Sequence, residues 1–300
     1  MKKWQYVLIV LIGIWAFGFL VSSIVNSNDN KVLQDQVLVV PIKGVISSSS
    51  SSSLFESSGL NLDSTLKSLK KAKEDNTIKA VVLEINSPGG TVIASRELAN
   101  AVKNLDKPTV AVIREVGASG AYWVASSADV IIADELSITG SIGVISSYLQ
   151  FSKIMEEYGI TYERLTAGSY KDLGSPYKEL TQNERNILQS KLNIIQGVFI
   201  NEVKENRQIT DLNRVSTGEF FLGVEAKELG LIDKFGDRDT AIEEAKTLAN
   251  LKDPRIIEFK EKTSLFNIFS LISKESFYYL GRGIGSEIKL KEDNLQINAL

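Results

Sequence analysis

Two glycine-rich stretches hold the residues whose types and spacing could do chemistry. Gly117–Trp123 reads GASGAYW and places a single serine, Ser119, among small residues. It follows the β-branched run Thr109–Ile113 and precedes a helical start. The first N–H groups of a helix have no intrahelical acceptor, so they point at whatever lies beside such a serine. Gly117, Ala118, Gly120 and Ala121 leave room for a second backbone, that of a substrate, to come close. Upstream, Asn86–Gly90 (NSPGG) ends another strand-like run and can offer a further N–H. Close packing of a helix on a strand is the plainer use of GASGA. The chemical use is acyl transfer, with Ser119 as the nucleophile, and it requires a base.

Composition narrows the choice of base. The 300 residues contain no histidine and no cysteine. That excludes a Ser-His-Asp arrangement, a thiol nucleophile, a His-ligated zinc and a disulfide framework. The serine must therefore be activated by lysine, by a carboxylate or by a chain terminus. With a net charge of −3 there is no basic excess to neutralise phosphates, so nucleic acid is not expected as a partner. Lack of cysteine fits an oxidising compartment.

Thr166–Asp172 (TAGSYKD) offers Lys171 among small, uncharged neighbours apart from Asp172. A free lysine, with a pKa of about 10.4, is neutral in only about one molecule in 2,500 at pH 7. Desolvation can lower that pKa by about 3–5 units. A pocket lined by Gly168, Tyr170 and Trp123 is the expected source of the desolvation. Read alone, Lys171 is more simply a solvated loop cation.

The elements that must position these groups alternate. Helices are expected at Asp63–Asp75, with Asp63 as N-cap, and at 91–105, 121–127, 151–158, 181–206 and 239–251. Strands are expected at 37–46 (interrupted near Pro41 and Gly44), 79–86, 109–116, 130–133, 161–165 and 256–259, with a strand and a helix within 217–233. Alternating strands and helices predict an α/β domain with a mostly parallel sheet. The pattern does not separate a doubly wound sheet from a spiral of stacked turns. Ahead of the domain, Trp4–Val25 runs 22 residues without a charge, after Lys2 and Lys3. At about 1.5 Å per residue that length crosses a bilayer core of about 30 Å. An uncleaved N-terminal transmembrane helix is expected over 1–25, in preference to a cleavable signal, with the rest of the chain outside the cytoplasm. Residues 26–36 form a linker, Ser47–Ser53 is a low-complexity run, and 37–260 is the main domain. Segment 261–300 is read as an amphipathic stretch, Ser264–Leu280, and a tail.

The stretches 86–90, 117–123, 136–144 (LSITGSIGV) and 168–172 (GSYKD), in that order, resemble the signal peptide peptidase A family. The resemblance covers roughly residues 37–260 and includes the 52-residue step from Ser119 to Lys171. It implies a Clp protease/crotonase-like spiral of stacked ββα units and a serine endopeptidase with no metal or cofactor. By position, Ser119 matches the nucleophile, Lys171 the general base and Ser141 the residue that orients the lysine. The N–H groups of Gly90 and Gly120 match the oxyanion hole, with Gly89 as an adjacent alternative to Gly90. The single dyad resembles the single-domain form, which implies a homo-oligomer, an octamer, with its active sites facing an enclosed space at the membrane. Cleaved signal peptides and other hydrophobic peptides are the implied substrates. Rival readings are a stomatin-linked membrane Ser-Lys protease, a crotonase-type acyl-CoA enzyme and a catalytically silent scaffold.

Overall fold

The computed structural model describes residues 12–17, 34–48 and 59–259. Residues 12–17 are helical, and the remainder of the expected anchor lies outside the described residues, as do 49–53 of the serine run and the segment after 259. No helix among the described residues is long and apolar enough to cross a membrane.

The architecture is mixed α/β. In chain order the elements begin with β1 (Gln36–Lys43), β2 (Val45–Ser47), β3 (Gly59–Asn61), α1 (Leu62–Glu74), β4 (Ile78–Ser87) and α2 (Val92–Lys103). There follow β5 (Thr109–Ala118), α3 (Gly120–Ser126), β6 (Val130–Ala133), β7 (Ile138–Gly140) and α4 (Ser152–Glu157). The last are α5 (Gln182–Asn206), α6 (Leu212–Val215), β8 (Phe220–Leu222), α7 (Gly223–Glu228), β9 (Lys234–Phe235), α8 (Arg238–Leu248) and β10 (Arg255–Glu258). The main sheet runs β10-β1-β4-β5-β6-β9, parallel throughout.

A parallel sheet is covered on both faces, so its strands read as nearly continuous apolar runs. Side chains alternate across a strand, and the two faces separate cleanly. Val40, Ile42, Val81, Leu83, Ile85, Ala111 and Ile113 point into one core with Leu69 of α1, Leu98 of α2, Val124 of α3 and Phe199 of α5. Val37, Val39, Ala80, Val82, Val110 and Val112 form the other core, under Ala241, Ile242 and Ala245 of α8.

Pairing occurs in two tiers. Residues 110–113 of β5 pair with β6, whereas 116–118 pair with β7, which in turn pairs antiparallel with β8. β4 shifts register between Ile85 and Ser87, then meets β5 again at Gly117. Beyond its end, Gly90 bridges to Ile46 of β2, which pairs with β3. The second tier carries both glycine-rich stretches.

Several expectations need correction. The strand expected at Thr161–Leu165 is absent: those residues are exposed and pair with no neighbouring strand, and a strand without a partner leaves its N–H and C=O groups unmatched. Asn61, not Asp63, caps α1, because its side chain accepts from the Ser64 N–H at 3.1 Å. Of the two interruptions expected in strand 37–46, the one at Gly44 is present, where a φ of 74° turns the chain between β1 and β2. Pro41 stays within β1.

α5 ties the core to the site. Its Thr181 and Glu184 form a reciprocal capping box, and Phe199, in its second half, stacks on Trp123 with ring centroids 4.3 Å apart. Both rings are buried. Phe199→Ala is expected to cost about 3–5 kcal/mol, lowering the midpoint of urea denaturation followed by tryptophan fluorescence.

Candidate active site

Ser119 sits between the end of β5 and the first residue of α3, with φ 53° and ψ −126°. A non-glycine residue at positive φ is uncommon, and such strain costs of order 1–3 kcal/mol. The same sharp strand-to-helix turn exposes the nucleophile of other serine hydrolases above their sheet. The conformation is held from outside. The Ser119 N–H donates to the Gly140 carbonyl at 2.8 Å, and Trp123 N–H closes onto the Ser119 carbonyl at 3.0 Å.

Ser141 is the register mate of this junction. β5 and β7 pair Ala118 with Gly140, so Ser119 and Ser141 leave two neighbouring strands at the same level. Ser141 also has a positive φ, 52°, and its N–H donates to the Glu219 carbonyl at 2.8 Å. Gly140 permits this, since a Cβ there would lie 2.7 Å from the Phe221 ring.

The oxyanion candidates are also brought together. Gly90 is pinned from both sides, as Ile46 N–H donates to the Gly89 carbonyl (2.9 Å) and Thr91 N–H to the Ile46 carbonyl (2.8 Å). The Gly90 nitrogen lies 3.3 Å from where a Cβ on Gly120 would be. Gly120 is the first residue of α3, so its N–H has no intrahelical acceptor. A cavity of about 550 Å³ is lined by Ser119, Gly120, Gly90 and Ser141, with Trp123, Phe199 and Val144 among its apolar walls. Of the two candidate glycines in the upstream loop, Gly90 lines the cavity and Gly89 does not. A carbonyl seated there would meet a hydroxyl and two backbone donors, the set that acyl transfer needs.

Lys171 is not on the cavity wall. It lies in the exposed segment after Ile145, its N–H donates to the Gly168 carbonyl at 3.2 Å, and its amine makes no ion pair among the described residues. The expected pocket of Gly168, Tyr170 and Trp123 does not form within one chain. The Trp123 indole is committed to Glu202 and Phe199 on the cavity side, while Tyr170 is exposed. Asp172 is held in a charged chain. Arg164 donates to it at 2.6 Å, and Lys178 lies 3.3 Å away and also pairs with Glu184. Arg164 first, then Lys178, holds the Asp172 carboxyl below its usual range against the opposing effect of burial. Lys178 and the Thr181 cap do the same for Glu184.

Three contributions are not readable from the sequence. Glu202 accepts from Trp123 Nε1 (2.8 Å) and from Arg96 (2.8 Å), fixing the indole from two other helices. Ser95 contributes a buried hydroxyl with no partner among the described residues, packed against Gly120. Thr217 and Gly218 close the far wall. None lies near GASGA in sequence, and no motif announces them.

A strained serine beside two backbone amides is an arrangement suited to acyl transfer on an α/β scaffold. Residues 101–252 match the model of peptidase family S49. A candidate protease of Methanocaldococcus jannaschii, MJ0651, is 35% identical over 227 residues, covering 73% of this chain and 70% of that one. A candidate signal peptide peptidase SppA of Enterococcus faecium is 34% identical, covering 77% and 69%. Protease 4 of Haemophilus influenzae is 31% identical, and the match spans 39% of its length. In fold, the chain is similar to the 1510-N membrane-bound stomatin-specific protease, in a mutant bound to a substrate peptide. That likeness has a TM-score of 0.50 at 14% identity and covers 79% of this chain and 98% of the other. The chain belongs to peptidase family S49, a family of serine proteases.

The glycines give a direct test. A Cβ on Gly90 would lie 1.8 Å from the Ile46 carbonyl oxygen, so Gly90→Ala must push the loop off β2 and displace its amide. Peptidase activity is expected to fall at least about 100-fold, as when one oxyanion donor is lost. Gly197→Ala, on α5 where nothing lies within 4 Å, is expected to leave activity intact and raise stability by about 0.5–1 kcal/mol, read by thermal denaturation.

Proposed function

We propose that this chain is a membrane-anchored serine endopeptidase that degrades hydrophobic peptides, cleaved signal peptides among them, with Ser119 as nucleophile and Lys171 as general base. The observation that carries this reading is the strained Ser119 at the cavity mouth beside the Gly90 and Gly120 amides. Membership of family S49 and the similarity to a candidate signal peptide peptidase support the reaction and the substrate class. The two-tier pairing of β4 and β5 supports a spiral of stacked ββα units. The charge-free run Trp4–Val25 supports an anchor with its basic end in the cytoplasm and the peptidase domain on the other side.

In the reaction, Ser119 Oγ attacks the scissile carbonyl and passes its proton to the Lys171 amine. The oxygen, now negative, takes hydrogen bonds from the Gly90 and Gly120 N–H groups. The tetrahedral intermediate then collapses to an acyl-enzyme while the lysine returns the proton to the leaving amine. Water, deprotonated by the same lysine, releases the acyl group. Ser141 orients the amine. No metal or cofactor takes part.

We infer that the base comes to the serine from another copy of the chain, because Lys171 is not among the residues that line the serine's cavity. The segment that carries Lys171 exposes Ile145, Leu149, Tyr158 and Leu165, the last 97% accessible, and this many large apolar side chains left uncovered in one segment supports its being an interface. Covering it with a neighbouring subunit would desolvate the lysine and close the site in one step, in keeping with a ring of subunits such as an octamer.

Ser119→Ala and Lys171→Ala should each abolish cleavage of a fluorogenic peptide by the full-length protein in detergent. The wild-type rate should rise toward alkaline pH, because a general base must be unprotonated to act. Unchanged activity in both variants would remove the dyad. Co-assembly of the two inactive variants should restore part of the activity, since some interfaces then pair an intact serine with an intact lysine. Failure to recover any activity in verified mixed oligomers would place both groups in one subunit.

A further inference from the structure

The arrangement around Asp172 goes beyond the dyad, although it rests on the reading of Lys171 as the base. A lysine that must give up its proton is poorly served by a carboxylate next door, since an opposite charge within about 4–6 Å stabilises the ammonium. Asp172 is the next residue in the chain, close enough for its carboxylate to reach the amine. It does not do so. Arg164 donates to Asp172 Oδ1 at 2.6 Å, and its Nε makes an ion pair with Oδ2, which has no hydrogen-bond partner among the described residues. Lys178 approaches Oδ1 at 3.3 Å from the opposite side. The Asp172 side chain is only 11% exposed, whereas Lys171 is exposed and has no ion pair among the described residues.

The clamp is itself anchored. Lys178 is shared with Glu184, which is nearly fully buried in the capping box of α5 and bonded to the Thr181 N–H at 2.9 Å. The segment is braced further by the Tyr162–Tyr177 ring contact, with centroids 5.2 Å apart, and by Phe151 N–H donating to the Pro176 carbonyl at 2.7 Å. The charged and titratable groups that face Asp172 are therefore Arg164 and Lys178, with Glu184 behind Lys178 and Tyr162 beside Arg164.

We propose that Arg164 and Lys178 are positioning residues for proton transfer: by holding the Asp172 carboxylate between them, they keep it from pairing with the Lys171 amine. With Glu184 sharing Lys178, the two cations and two carboxylates sum to zero, so no net negative charge is left beside the amine. The clamp thus sets the amine's surroundings without touching the substrate.

The test is the pH-rate profile of peptide hydrolysis by the full-length protein, and the two arms have opposite signs. Arg164→Gln frees the carboxylate, so the apparent pKa of the rising limb should move alkaline by roughly half a unit to one unit. Asp172→Asn removes the negative charge and leaves both cations, so the limb should move acidic by a similar amount. Both displacements should shrink in 1 M salt, where the screening length is about 3 Å. Arg164→Lys keeps the charge and should keep the wild-type profile. Arg164→Gln combined with Asp172→Asn should return most of the alkaline shift. If Arg164→Gln fails to fold, the acid shift of Asp172→Asn carries the test alone. A limb that stays in place, or moves the same way in both variants, overturns the proposal. Activity surviving in Lys171→Ala would instead overturn the dyad, which separates the two failures.

Discussion

The site depends on how closely two backbones can approach at the second tier of the sheet. Gly90 presses against the Ile46 carbonyl and Gly120 against Ser95, with no space for a methyl group at either place. That contact fixes the height of the NSPGG loop relative to the start of α3, and so the spacing of the two amides. The pairing of Ala118 with Gly140 then decides where Ser119 and Ser141 emerge. A slip of one residue in that short ladder would turn the serine away from the cavity, because side chains alternate along a strand. The hydrogen bond from Ser119 N–H to the Gly140 carbonyl and the first turn of α3 hold the strained φ in place. The surrounding two-faced core supplies the rigidity that lets a strained residue persist.

Much of this was legible because it is local. The runs KAVVLEIN and TVAVI announce strands buried on both faces, and the structure assigns alternate residues of each to two different cores. GASGA and NSPGG announce close backbone approach, since no other residue type fits there. What the sequence withheld is of two kinds. One is conformation: nothing in the identity of Ser119 or Ser141 signals a positive φ, which a serine adopts only under external constraint. The other is distance along the chain. Glu202 meets Trp123 across 79 residues and Arg96 across 106, contacts that no periodicity encodes.

The strand expected at Thr161–Leu165 shows the limit of pattern reading. Ile160, Tyr162 and Leu165 are large side chains of the kind that fill a sheet, but the adjacent Glu163 and Arg164 put Leu165 out of phase with the other two. In this chain they face solvent instead. Periodicity records which residues are to be covered, not by what. The same ambiguity attaches to the pocket sought around Lys171: the small neighbours are there, but the apolar wall assigned to it, Trp123, belongs to the serine's cavity.

These two facts bear on each other. Ser119, Gly90, Gly120 and Ser141 converge on one cavity, whereas the expected base rides on a segment braced by its own ion pairs and covered by nothing among the described residues. A segment that needed only to be a loop would not carry so much apolar surface, nor bury a glutamate to anchor it. A segment built to dock needs both: apolar side chains to be covered, and internal bracing so that little conformational entropy is lost on docking. On the proposed reading, the dry environment that a lysine base requires is then created by the docking event itself. Until that happens the amine stays solvated and the serine stays inert, so a lone chain would have little capacity to cleave the peptides it meets before it assembles.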